Sequence, residues 1–97
     1  MEIEFTGRVI EWRGPAPYYY LPLPEEAAED VHEVAAMATY GWGVNPVAAR
    51  IGETEFETSL FPKDGSYLLP LKDAVRKPQQ ITVGDEITAE MAVRLQS

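Results

Sequence analysis

The sequence predicts a mainly β fold, a small β-barrel with one α-helix. Alternating apolar and polar residues recur in short runs along most of the chain, the mark of half-buried strands. Gly, Pro and Asp-Gly signals separate those runs at close intervals. Only residues 24–38 space their apolar positions at helical steps. The tally is six strands, one helix and one short helical turn. A closed barrel suits that set better than an open sheet, because closure removes exposed edges. At 97 residues the chain is expected to be one domain, 1–97, with enough length for one core.

The first strand alternates Ile3, Phe5, Gly7 and Val9 with Glu2, Glu4, Thr6 and Arg8. At Ile10 and Trp12 the apolar parity changes. Such a slip marks either a β-bulge near Val9-Ile10 or a strand crossing from one sheet to another. Arg13 to Pro17 is a loop stiffened by two prolines. Tyr18-Tyr19-Tyr20-Leu21 is a short aromatic strand. Pro24 then opens the helix, residues 24–38, with Glu25 and Glu26 in its first turn complementing the exposed amides. Ala27, Ala28, Val31, Val34, Ala35 and Ala38 make a narrow small-residue face, and acidic residues crowd the other side. Gly41 is placed to terminate the helix. Trp42, between two glycines, is either a core plug or an exposed stacking surface.

From Ile51 to Arg76 the chain reads as a hairpin, a third strand and a basic helical turn. Gly52-Glu53 suits a type II′ turn between Val47–Ile51 and Thr54–Leu60. Thr54, Phe56, Thr58 and Leu60 share one face; Glu55, Glu57 and Ser59 share the other. Pro62 is expected to close that strand, and Lys63-Asp64-Gly65 to turn the chain. Tyr67, Leu69 and Leu71 alternate next, and Pro70 marks an edge strand or a strand end. Asp73 can cap a helical turn, residues 73–77, stopped by Pro78. After the connector 79–83, Gly84-Asp85 turns into a last strand with Ile87, Ala89, Met91, Val93 and Leu95 on one face.

Composition excludes several functions. There is no cysteine, hence no disulfide, thiolate metal site or cysteine nucleophile, which fits a cytoplasmic location. His32 is the one histidine, so multi-histidine metal sites are excluded and a solvated surface role is expected for it. The N-terminus has no signal-peptide pattern, and no apolar run approaches the ~20 residues of a membrane span. The net charge is −8, with eleven acids and three bases in residues 1–62 and five of each in residues 63–97. That balance disfavours general nucleic-acid binding, although Lys72, Arg76 and Lys77 form a local basic patch.

Trp42-Gly43, Ile51-Gly52, Thr58-Ser59-Leu60-Phe61-Pro62, Tyr67-Leu68-Leu69-Pro70-Leu71-Lys72, Val75-Arg76 and Gly84-Asp85, in that order, resemble a small prokaryotic family known as domain of unknown function 1905. The likeness runs from Phe5-x-Gly7 to the last strand. It implies a six-stranded barrel of the double-split type, a class that includes dimeric DNA-binding regulators, and it implies no established activity.

For chemistry, Thr58-Ser59 has no base or nucleophile elbow beside it, so its hydroxyls are read as strand hydroxyls. Lys72 and Arg76 lie four residues apart where a strand runs into a helical turn. With the amides of Asp73, Ala74 and Val75, and hydroxyls from Ser59 and Tyr67, they could form an anion site. The rival reading is salt bridges to the acidic helix or to Glu57. Tyr20 and Trp42 are candidates for an aromatic pocket. The expected function is therefore a non-enzymatic binding module, without cofactor or metal, for a small anion or a protein partner. It is expected to be a monomer or homodimer, with no membrane association. A dimeric nucleic-acid binder is the alternative, resting on fold analogy alone.

Overall fold

The computed structural model describes residues 2–12, 18–38 and 45–94, apart from the side chains of 35–38 and 45. The loop 13–17, Gly41, Trp42 and Leu95, and the side chains of Ala35 and Ala38, lie outside the described residues. Seven strands are present among those described. They are β1 (Glu2–Arg8), β2 (Ile10–Trp12), β3 (Tyr18–Pro22), β4 (Asn45–Ile51), β5 (Thr54–Lys63), β6 (Ser66–Pro70) and β7 (Glu86–Val93). Two helices accompany them, α1 (Glu25–Ala38) and α2 (Asp73–Gln79).

All pairings are antiparallel, in the order β1-β7-β4-β5-β6-β3-β2. The first and last members of that order are consecutive in the chain, separated only by Val9. The sheet therefore curls until its two ends are the two halves of one bent strand. This settles the choice left open at Val9-Ile10: the chain crosses from pairing with β7 to pairing with β3. Counted as one, β1 and β2 restore the expected six strands. At the bend, the Val9 amide donates to Asp85 O at 2.9 Å and the Gly84 amide donates to Val9 O at 2.9 Å. Gly7 belongs to the same crossing. A Cβ there would lie 2.6 Å from Pro22 O, so the backbones of β1 and β3 approach as only glycine permits.

The inward parity of each strand fills the interior. Ile3, Phe5, Val47, Ala49, Ile51, Leu60, Leu69, Ala89, Met91 and Val93 are all buried in one cluster. Helix α1 adds Ala27, Ala28, Val31 and Val34, packing against β1 and β6. Its first helical residue is Glu25, with Pro24 O accepting the Ala28 amide at 3.0 Å. Helix α2 packs against β5 through buried Val75, and Ile81 just beyond it is buried too.

The two hairpins follow their turn residues. Gly52 has φ 60° while Glu53 has no positive φ, as a type II′ turn requires. Asp64 (φ 51°) and Gly65 (φ 79°) make a type I′ turn. Pro62, expected to end its strand, instead lies inside β5 opposite Tyr67. The flanking pair Lys63–Ser66 closes the two-residue turn, so Pro62 falls in a non-hydrogen-bonded pair and its missing donor points away from β6. Pro70 does end β6, which is an interior strand between β5 and β3.

Helix α2 also departs from expectation. Its N-cap is Lys72 rather than Asp73, and Pro78 lies within its last turn instead of stopping it. The helix ends at Gln80 in the left-handed region (φ 52°), whose amide bonds to Arg76 O and Lys77 O.

Candidate functional site

Where β3, the middle of β5 and the start of α2 meet, a groove of about 440 Å³ opens to solvent. Its walls include Tyr18, Tyr20, Ser59, Phe61, Lys72 and Arg76. Three local features build it. Residues Ser59 and Phe61 occupy the outward parity of β5, in line with Glu55 and Glu57. Tyr18 and Tyr20 occupy the outward parity of β3, and Pro70 is the register partner of Tyr20. Pro70 also ends β6, so the chain turns at Leu71 into α2 and leaves Lys72 at the rim.

The rings form a continuous row. Tyr18 and Tyr20 stack with centroids 6.3 Å apart, and Tyr20 meets Phe61 at 5.9 Å. Trp12 is the cross-strand partner of Tyr18, and Lys63 Nζ lies 3.6 Å over the Trp12 ring.

The two cations foreseen for the site have different circumstances. Arg76 is largely committed within the fold. Its Nε donates to Leu71 O at 3.1 Å, an Nη2 N–H donates to Asp73 Oδ1, and the guanidinium lies 3.8 Å over the Tyr19 ring. Its ion-pair partner is thus on its own helix, neither on α1 nor at Glu57, which pairs with Arg94. Lys72 is exposed and makes no ion pair among the described residues. Ser59 is exposed beside it. The amide of Val75, counted among the anion donors, instead donates to Lys72 O at 2.9 Å.

Tyr67 is not part of the groove. It shares the inward parity of Leu69, is 6% exposed, and its hydroxyl meets His32 Nδ1 at 3.2 Å. The alternation of β6 itself carried that information. His32 is exposed yet tethered: its Nε2 lies 3.2 Å from Gly65 O. A carbonyl only accepts, so Nε2 carries the hydrogen, and in the neutral ring Nδ1 accepts from the Tyr67 hydroxyl. The histidine thus ties α1 to the β5–β6 hairpin. The residues missing from the expected site are Tyr18 and Phe61. Phe61 had a readable signal, an apolar residue at an outward position of β5.

A second, wider concavity of about 920 Å³ lies on the outer face of β1, β7, β4 and β5. Its floor is the cross-strand pair Ala48–Ala92, and Glu2, Glu4, Glu55, Glu57 and Glu90 line it. Arg50 Nη2 donates to Glu90 Oε2 at 2.6 Å, and this hydrogen bond, with the Glu90 charge, raises the Arg50 pKa above its ordinary value. Among the described residues no group of three metal-ligating side chains is placed to hold an ion. An anion would be repelled from this trough; the smaller groove carries the available cation.

The fold and groove define a barrel-like β domain with an aromatic, lysine-rimmed cleft. The chain belongs to the family described as a domain of unknown function (DUF1905), which matches residues 5–91. No curated protein matches the chain. Among the described residues no helix is long and apolar enough to cross a membrane.

Proposed function

We propose that this domain is a non-enzymatic binding module whose groove between β3, β5 and α2 receives a small organic anion. The observation that carries this reading is Lys72, an exposed ammonium with no ionic partner among the described residues, standing over a cleft that also presents Ser59 and a row of rings. The lining contains no imidazole, and its one carboxylate, Asp73, is already paired with Arg76 and Lys77. Such a wall supports recognition more than proton transfer.

A thermal-shift screen of organic acids and phosphates against the wild type and Lys72→Ala tests it. A ligand at a hundred times its dissociation constant adds ~2.7 kcal/mol of stability. For a domain this size each kcal/mol raises the midpoint by roughly 4–8 °C. A shift of that order, lost in Lys72→Ala, is the expected result. An equal shift in the variant, or none with any anion, overturns the proposal.

A further inference from the structure

We infer that the groove's ligand is an anion bearing a flat aromatic ring, with the ring against Tyr20 and Phe61 and the charge at Lys72. The inference rests on the groove being a binding site and adds the chemical class of what it binds.

Single exposed apolar side chains are ordinary on protein surfaces; contiguous ones are not. Among the described residues four large apolar side chains are exposed: Trp12, Tyr18, Phe61 and Val83. Three of them lie in one row, joined by Tyr20. Leu68, the register partner of Phe61, is buried and yet stands outside the interior cluster, because it lies on this outer face.

The strand positions on the same face carry no carboxylate. The outward positions of β2, β3, β6 and the end of β5 are Ile10, Trp12, Tyr18, Tyr20, Pro22, Ser66, Leu68, Pro70, Phe61 and Lys63. In a chain of net charge −8 this is a local exception, and Lys63 and Lys72, which make no ion pair among the described residues, both stand beside its rings. An anion approaching the groove meets the Lys72 ammonium, and the one carboxylate of its lining, Asp73, is already paired.

Ring spacing fixes how a ligand would sit. An inserted ring needs about 7 Å between flanking rings, two stacking gaps of ~3.5 Å. The observed 5.9 and 6.3 Å are too close for insertion. A ligand's ring therefore lies on the open side of the Tyr20–Phe61 pair, whose planes tilt by 38°, and extends the row. A ring-free anion would leave this apolar wall uncovered, and a neutral ring would leave Lys72 unused.

Two sources share this chemistry, an aryl carboxylate and a nucleoside monophosphate. Calorimetric titration of the whole chain with 4-hydroxybenzoate, adenosine monophosphate, adenosine, acetate and inorganic phosphate separates them. The ring-bearing acid that binds names the source. It should exceed acetate, phosphate and adenosine in affinity by about tenfold. Tyr20→Ala should weaken it roughly three- to tenfold, and Phe61→Ala, at a more exposed position, supplies a second variant should Tyr20→Ala fail to fold. Acetate or phosphate binding as tightly as the ring-bearing acids, with no response to either aromatic variant, overturns this inference and leaves the anion-binding reading in place. Absence of binding by every anion overturns both.

Discussion

The Arg76 guanidinium lies 3.8 Å over the Tyr19 ring and, through Nε, holds Leu71 O at 3.1 Å. One side chain thus fastens α2 to β3 and to the turn between β6 and α2. Lys72, four residues earlier, is exposed and makes no ion pair among the described residues. Replacing Arg76 by Ala should lower stability by about 1–2 kcal/mol, from a lost cation–π contact and a lost charge-assisted hydrogen bond. Lys72→Ala should stay within about 0.5 kcal/mol of wild type. Urea unfolding followed by circular dichroism distinguishes the two, and equal effects would mean that Arg76 is as free as Lys72.

Gly7 is the residue on which curling of the sheet depends most directly. An added methyl would lie 2.6 Å from Pro22 O and 3.2 Å from Leu21 Cδ1. The first of these atoms is backbone and cannot rotate aside. Gly7→Ala should therefore destabilise by about 1–3 kcal/mol through overpacking, read as a fall in melting temperature. An unchanged melting temperature would show that β1 and β3 are less closely apposed.

Gly52 is constrained twice. Its φ of 60° strains any L-residue, and a Cβ would come within 2.9 Å of Gln79 Cδ. Gln79 Nε2 donates to Thr54 Oγ1 at 2.9 Å, so α2 clasps the β4–β5 hairpin. Gly52→Ala should cost about 1–2 kcal/mol. Because Gln79→Ala removes the crowding, the double variant should lose less than the sum of the singles. Strict additivity would place Gln79 away from the turn.

Leu69 is fully buried in the interior, whereas Phe61, on the opposite parity, is 52% exposed. Leu69→Ala should cost about 2–5 kcal/mol, and Phe61→Ala less than about 1 kcal/mol. Chemical denaturation of both reads the orientation of the β5–β6 hairpin; a reversal of the order would require β6 to be rotated by one residue.

Much of the fold was legible because a half-buried strand writes its orientation at every second residue. Ile3 and Phe5, Phe56 and Leu60, and Ala89 to Val93 each face the way their alternation requires. The site was legible only in pieces. Lys72, Ser59 and Tyr20 line one groove, while Tyr67 faces the interior and Trp42 lies outside the described residues. Arg76 looked equivalent to Lys72 in sequence, because spacing reports that two side chains share a helix face and not what already occupies one of them.

By itself the sequence determined the strand parities, the two hairpin turns, the amphipathic face of α1 and the family to which the chain belongs. These depend on neighbours a few residues apart, or on an ordered set of short motifs. The tertiary structure decided the crossing at Val9, the place of Pro62 within β5, the tethering of His32 and the joining of Trp12, Tyr18, Tyr20 and Phe61 into one row. Each of those depends on which strand lies beside which after the sheet has curled. That information resides in contacts between segments tens of residues apart, where local periodicity has nothing to say.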